Sequence, residues 1–239
     1  MVKLNIVSGN IFDYLDNKDL IVNSANQYMI YGSGVCGVIY KMADKDLLEQ
    51  YCKEHFKDNM KVNEIRITPG FNIGIDILHI YCPKYHQSKD PINELLESYN
   101  NIFISAKEKD YKSIVSVSIG TGIHGYKHND IAKQVIDRLD YLVKRYDIDF
   151  TLVLPNKDIE DLYIKELSNI KVVDDYLGRI EDTAETLRHP NVVGYKKVSD
   201  EQIKRAKERL KITKEEQKKY SISDDDIRQL LIDKYNNNE

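Results

Sequence analysis

Over about the first 170 residues, short runs of β-branched and other apolar residues alternate with segments whose apolar residues recur at the period of a helix. This alternation constrains the fold most strongly, because it is typical of a sheet covered by helices on both faces. The sequence therefore predicts the α/β class. Predicted strands cover residues 3–7, 20–23, 64–68, 77–81, 113–118 and 150–154, with a further candidate at 170–173. Predicted helices cover residues 35–43, 45–57, 91–107, 130–146 and 157–167.

The remainder of the chain has a different composition. From Tyr176 onward 27 of the 64 residues are charged, against 47 of the first 175. Three capping boxes, at residues 199–202, 213–216 and 223–226, predict helices over 200–211, 214–220 and 224–235. Their apolar stripes are thin, so we expect these helices to dock on the main domain or on a partner. We predict a domain over residues 1–175 and a charged helical extension over 176–239, for which a solvated extension is favoured over a dedicated binding module.

Charge and cysteine content exclude several classes of protein. The net charge of −4 provides no positive field that would attract nucleic acid regardless of its sequence. Three scattered cysteines predict neither a disulfide framework nor a zinc site, and the acidic run at 224–226 is expected to support a helix N-terminus rather than bind a metal. The first residues show no signal-peptide pattern, and no apolar run approaches the ~18 residues of a membrane span. We expect a cytoplasmic protein that contains no metal or cofactor and has no membrane partner.

Two glycine-bearing loops follow predicted strands and precede predicted helices. The first covers residues 24–34, after the strand at 20–23, and the second covers residues 118–125 (SIGTGIHG). Glycines allow the backbone to approach a ligand closely, and free amide groups at such turns favour phosphate. Ligands of α/β proteins bind at the carboxyl ends of strands. Two such loops fit a pyrophosphate better than a single phosphate.

Three segments, in the same order along the chain as in the family, resemble the macro domain family. Residues 22–26 (VNSAN) and 32–40 (GSGVCGVIY) are similar to the family's first ligand loop, and residues 120–125 (GTGIHG) to its phosphate loop. Residues 67–72 (ITPGFN) and 77–80 (ILHI) are similar to its central strand pair. The resemblance covers about residues 1–170 and implies a three-layer α/β/α fold with a mixed central sheet and a cleft for ADP-ribose.

The resemblance also implies roles for individual residues. Asn26 would hold hydroxyls of the distal ribose, while Gly34, Val35 and residues 120–124 would wrap the diphosphate and that ribose. His124 stands where the family often has an aromatic residue, and it either packs over the ribose or adds charge near the diphosphate. The candidate ligand-binding residues are Asn10, Ile11, Asn23, Asn26, Gly32, Gly34, Val35, Cys36, Gly120, Thr121, Gly122, Ile123, His124 and Asn156. Of the two asparagines near the strand end, Asn23 is favoured as a brace of the backbone over a ligand contact, and Asn26 as a contact.

The chain departs from the family pattern at both ends of this cleft. Asn10 stands in the place of the family's adenine-binding aspartate. Its amide oxygen can still accept a hydrogen bond from the adenine amino group but brings no charge, so weaker or altered base selectivity is expected. Leu154, Pro155 and Asn156 stand where the family often has an aromatic residue, and the base is expected to rest on apolar contact. Cys36 stands where many hydrolytic members have an aspartate. In this respect the loop resembles that of the alphavirus macro domains, which have a cysteine at this position.

The implied activity is hydrolysis of ADP-ribosyl bonds on acidic side chains of proteins, with free ADP-ribose or an ADP-ribosylated protein as the partner. The candidate catalytic residues are Asn26 and, by position alone, Cys36, for which a small buried spacer is favoured over a nucleophile. Two alternatives share the same cleft: a non-catalytic module that binds ADP-ribose or a related nucleotide signal, and a phosphatase acting on ADP-ribose-1″-phosphate.

Overall fold

A computed structural model describes residues 3–170 and, beyond them, residues 200, 203–204, 207–208, 214, 217–218, 223–225 and 227–228. The strands are β1 (Leu4–Ser8), β2 (Leu20–Ser24), β3 (Ile65–Thr68), β4 (Asp76–Ile80), β5 (Ser113–Val117) and β6 (Asp149–Leu154). The helices are α1 (Gly34–Ala43), α2 (Lys45–His55), α3 (Pro91–Glu108) and α4 (His128–Tyr146), and residues 157–170 are also helical. The six strands begin and end within one residue of their predicted bounds.

The six strands form one mixed sheet in the order β1-β6-β5-β2-β4-β3. All neighbouring pairs are parallel except β3 and β4, which pair antiparallel. The parallel strands in the middle of the sheet are almost entirely buried, as expected where helices cover both faces. The predicted α/β class with a mixed central sheet is confirmed.

Alternation along β6 shows that helices pack on opposite faces of the sheet. Val153 belongs to an apolar cluster with Ile39 of α1 and Leu48 of α2. Phe150, three residues earlier in the strand, stacks on Phe103 of α3 with ring centroids 5.4 Å apart. Because side chains three positions apart in a strand point to opposite faces, α1 and α2 cover one face and α3 the other. The layers are therefore α/β/α.

The chain divides into two compact units, Met1–Leu167 and Ser168–Glu239. The predicted boundary at residue 176 lies outside the described residues. Most of the predicted strand at 170–173 lies outside them too, but Ile170 is helical, so a strand beginning there is wrong. The predicted extension helices are only partly described, and the described positions within them are helical. Inside the second unit, Lys207 pairs with Asp224 and Arg228 with Asp200.

Two further properties of the described part of the chain bear on function. None of its helices is both long and apolar enough to cross a membrane. Within the same residues, no group of three or more His, Cys, Asp or Glu side chains is arranged to hold a metal ion.

Candidate ligand-binding cleft

A cleft opens at the carboxyl ends of β2 and β5, which are parallel neighbours in the sheet. From β5 the chain continues to β6 on one side, and from β2 it continues to β3 and β4 on the other. Loops that leave adjacent strands in opposite directions create a crevice, where ligands of open α/β sheets bind. The cleft has a volume of about 490 Å³, which lies within the ~300–1,000 Å³ typical of small-molecule sites.

Twelve of the fourteen candidate ligand-binding residues line this cleft. They come from three separate parts of the chain: the turn after β1, the segment from the loop after β2 into the first turn of α1, and the loop after β5. The twelve are Asn10, Ile11, Asn26, Gly32, Gly34, Val35, Cys36, Gly120, Thr121, Gly122, Ile123 and His124. The tertiary structure thus brings together residues that lie more than a hundred positions apart.

Asn23 and Asn156 do not line the cleft. Asn23 is fully buried, and its Nδ2 lies 3.0 Å from Nδ1 of His79 on the neighbouring strand. Asn156 caps the helix over 157–170, because its Oδ1 accepts a hydrogen bond of 3.0 Å from the backbone of Ile159. Asn23 therefore braces the end of β2, although its Oδ1 is buried without a hydrogen-bond partner in the described part of the chain, and Asn156 caps a helix. Because neither side chain is in the cleft wall, the geometry does not support the expected ligand contact for either residue.

The loop between β2 and α1 is held by the side chain of Asn26. Its Nδ2 donates to the carbonyl oxygen of Ile30 at 2.7 Å, and its Oδ1 accepts from the backbone N–H of Tyr28 at 3.1 Å. The loop then folds back on α1, where a Cβ at Gly37 would lie 2.2 Å from the carbonyl oxygen of Gly32. Glycine at position 37 is therefore required for the loop to approach the helix.

The loop after β5 is stabilised by its own backbone and one hydroxyl. Thr121 Oγ1 donates to the carbonyl oxygen of Ser118 at 2.7 Å. The backbone N–H of Tyr126 donates to the carbonyl oxygen of Gly120 at 3.2 Å. Gly120 has a φ of +81°, a left-handed conformation that favours glycine. Ile123 at the loop's tip is largely exposed. The result is a narrow turn whose backbone faces the cleft.

Cys36 lies in the first turn of α1 with its side chain almost completely buried. Burial raises the pKa of its thiol, and this outweighs hydrogen bonds from Asn23 and the backbone that lower it. Its Sγ lies 3.8 Å from Nδ2 of Asn23 and 3.9 Å from the carbonyl oxygen of Ile30. A thiol that resists ionisation is a poor nucleophile, which supports the interpretation of Cys36 as a spacer.

Beneath the cleft, a buried histidine connects three strands. His79 on β4 is within 3.0 Å of Asn23 on β2 through Nδ1 and of Thr68 on β3 through Nε2. Because an amide nitrogen only donates, Nδ1 accepts and the neutral ring donates through Nε2. Burial lowers the pKa of His79 to about 3. This uncharged network holds the strand from which the first ligand loop leaves.

Two residues in the cleft wall were missed by the sequence analysis. Phe12 follows Asn10 by two positions, is half-buried and lines the same cleft as Leu154 and Pro155. His128 begins α4, and its Nδ1 lies 3.1 Å from the hydroxyl of Tyr163. The aromatic residue directly after the Asn-Ile pair was the available signal for Phe12. No local signal marked His128, because only the docking of Tyr163 places its ring.

The cleft contains few ionisable groups. None of the residues that line it, all within the described segment 3–170, is Asp, Glu, Lys or Arg. His124 and His128 contribute rings whose pKa values burial lowers, and Lys84 lowers that of His124 further. Attraction of an anion thus depends on backbone N–H groups of the two glycine loops and not on fixed positive charge.

Comparison with known proteins identifies relatives of this chain. A family model described as the Macro domain matches residues 22–135. An uncharacterised protein of Fusobacterium nucleatum is 31% identical over 153 residues, which cover 63% of this chain and 85% of that protein. A Methanosarcina mazei protein described as macro domain-containing is 31% identical over 156 residues, covering 64% of this chain and 82% of the relative. The O-acetyl-ADP-ribose deacetylase of Salmonella typhimurium is 28% identical over 148 residues, covering 60% and 81% respectively.

Solved structures show the same fold. A mutant Oceanobacillus iheyensis macrodomain with ADPR superposes with a TM-score of 0.64 at 27% identity, covering 71% of this chain and 94% of that one. A Trypanosoma brucei macrodomain in complex with ADP-ribose, at 22% identity and a TM-score of 0.57, covers 69% and 68%. Sequence relatives that align over most of their length, together with this shared fold, establish that the chain belongs to the macro domain family.

Proposed function

We propose that this protein binds ADP-ribose in the cleft and hydrolyses ester bonds at the distal ribose, with ADP-ribosylated acidic side chains of proteins as the substrates. One observation carries the proposal: two glycine loops converge at the carboxyl ends of neighbouring parallel strands, in a crevice otherwise lined by apolar and neutral polar groups. Family membership and the relatives' names support ADP-ribose as the ligand.

The lining residues suggest how the ligand is arranged. Backbone N–H groups of residues 32–35 and 120–124 are the groups available to the diphosphate. The apolar end formed by Phe12, Leu154 and Pro155 suits a planar base. The distal ribose then lies toward Asn26 and Cys36, on the side of the cleft away from the base.

Hydrolysis in this cleft does not use a protein carboxylate as the base, because none of the described residues that line it carries one. The Cys36 thiol has a raised pKa and is nearly inaccessible, so it does not replace that base. We infer that the substrate's own phosphate accepts the proton of the attacking water, while the loops orient the water and the ribose. Orientation alone contributes several kcal/mol to such reactions.

Two other functions of the same cleft have specific support. Relatives named O-acetyl-ADP-ribose deacetylase favour hydrolysis of an acetyl ester on the same ribose, which needs the same oriented water. The absence of acidic and basic side chains from the described cleft wall favours a module that binds ADP-ribose without hydrolysing it.

The deciding experiment supplies the protein with three substrates: a protein ADP-ribosylated on glutamate, a protein ADP-ribosylated on arginine, and O-acetyl-ADP-ribose. Release of ADP-ribose is followed by mass spectrometry, and affinity for free ADP-ribose by calorimetry. We expect release from the glutamate ester, none from the arginine linkage, and binding of ADP-ribose well above that of AMP. Lys133→Ala, on the exposed side of α4, serves as the surface control.

Each alternative has its own result in this experiment. Turnover of O-acetyl-ADP-ribose alone would make the protein a deacetylase. Binding without any turnover would make it a reader of ADP-ribose. No heat and no thermal shift with millimolar ADP-ribose would refute the proposed function, because a ligand that binds the folded state must raise its stability.

A further inference from the structure

The side-chain amide of Asn10 is oriented by one backbone hydrogen bond at the base end of the cleft. It caps the short 3-10 turn Ile11–Tyr14, and its Oδ1 accepts a hydrogen bond of 3.2 Å from the backbone N–H of Phe12. Rotating the amide by 180° would direct the Nδ2 hydrogens at that same N–H group. Because two donors repel one another, the cap determines which end of the amide faces the backbone.

The same orientation leaves Nδ2 as the outer end of the Asn10 amide. Asn10 is exposed and lines the cleft, and Nδ2 makes no hydrogen bond to any residue in the described segment 3–170. An aspartate in this place would cap the turn with one oxygen and offer a second oxygen, an acceptor, to the ligand. Asn10 offers a donor there instead.

The neighbouring side chains provide no acceptor to replace that oxygen. Gly9 donates from its backbone to the carbonyl oxygen of Leu154 at 3.0 Å, which places Asn10 next to the end of β6. Leu154 and its neighbour Pro155 line the cleft there, Phe12 lines it two residues after Asn10, and all three are apolar. The polar side chain presented to a base at this end is therefore that of Asn10.

We infer that the base subsite accepts a 6-oxopurine nucleotide, such as inosine 5′-diphosphoribose, at least as well as ADP-ribose. This inference rests on the proposed function, since it concerns the base of the same ligand. The exocyclic amino group of adenine is a donor, whereas the carbonyl oxygen at position 6 of hypoxanthine or guanine is an acceptor. With position 6 of the purine toward Asn10, Nδ2 complements the carbonyl oxygen and opposes the amino group, so adenine would have to meet this donor with a ring nitrogen instead.

Calorimetry with two ligands and three proteins tests the inference. The ligands are ADP-ribose and inosine 5′-diphosphoribose, and the proteins are the wild type, Asn10→Asp and Asn10→Ser. All three residues accept the capping hydrogen bond, so the turn is retained. We expect the wild type to bind the inosine ligand as tightly as ADP-ribose or more tightly. Asn10→Asp should reverse the preference to about tenfold in favour of ADP-ribose, and Asn10→Ser should lose the preference for the inosine ligand.

The outcomes separate this inference from the proposed function. A wild type that binds ADP-ribose more than threefold tighter than the inosine ligand overturns the inference and leaves the proposed function standing. An affinity ratio that is unchanged in Asn10→Asp also overturns it, because the amide then does not contact the base. If the wild type binds neither ligand, the proposed function itself fails.

Discussion

Replacing His79 should remove a defined part of the protein's sensitivity to acid. The ring is fully buried between Asn23 and Thr68, and burial lowers its pKa from the ordinary value of 6.5 to about 3. Between these two pH values the unfolded chain binds a proton at this position and the folded protein does not. Stability contributed by the neutral ring is therefore complete above pH 6.5 and declines as the pH falls toward 3.

The size of the effect follows from the width of that window. Each pH unit inside it costs about 1.4 kcal/mol of unfolding free energy per proton. When the pH is lowered from 7 to 5, the part of this change below pH 6.5 lies inside the window. His79 should therefore account for a loss of about 2 kcal/mol in the free energy of unfolding. No other buried group needs to change for this loss to occur.

Urea unfolding at pH 7.0 and pH 5.0 measures this loss. The suitable variant is His79→Gln, which retains an amide donor for Thr68 but does not titrate. We expect it to be less stable than the wild type at pH 7, because Asn23 loses its acceptor. Its further loss at pH 5 should be smaller by about 2 kcal/mol. His124 and His128 are present in both proteins and cancel in the comparison. An equal pH dependence in the two proteins would refute the reasoning.

Three further predictions concern the ligand loops. Gly37→Ala should abolish ADP-ribose binding and lower the melting temperature, because the new Cβ would lie 2.2 Å from the carbonyl oxygen of Gly32. As the control, Gly122→Ala should leave the melting temperature unchanged, because a Cβ there meets no atom within 4 Å. Asn26→Ala should weaken binding more than it destabilises the fold, whereas Asn23→Ser should do the reverse, as calorimetry and urea unfolding of both variants will show. Cys36→Ala should retain most turnover and Cys36 should react slowly with iodoacetamide; an ADP-ribose adduct on the thiol during turnover would contradict this mechanism.

The two asparagines near the end of β2 show how the position of a strand end separates a structural role from a place in the cleft, a separation that the sequence already favoured. Asn23 and Asn26 lie three positions apart in a segment that leaves a strand, and both belong to the motif that resembles the family. Asn23 is the penultimate residue of β2 and points into the layer beneath the cleft, where His79 meets it. Asn26 lies beyond the strand end, in the cleft wall. The strand's exact end decides between the two roles, and pattern alone places such ends only to within a residue or two.

Phe12 and His128 show a different limit. Each is near a recognised motif, yet its place in the cleft depends on contacts with distant parts of the chain. Phe12 lines the same cleft as Leu154 at the end of β6, some 140 residues away in sequence. The orientation of His128 depends on Tyr163 in the last described helix of the first unit. These contacts are formed by packing between elements, so no local pattern encodes them.

The sequence by itself determined the strands and helices of the first 170 residues, their α/β class and the two glycine loops, because apolar periodicity and turn residues act over a few neighbouring positions. Only the tertiary structure decided that β5 lies beside β2 and that Asn10 turns its amide nitrogen outward. The shared cleft of the two loops was implied by the family resemblance and not by the pattern of residues. Strand order and side-chain orientation depend on which surfaces bury each other and which donors find acceptors across the fold, and such pairings exist only once the whole domain is assembled.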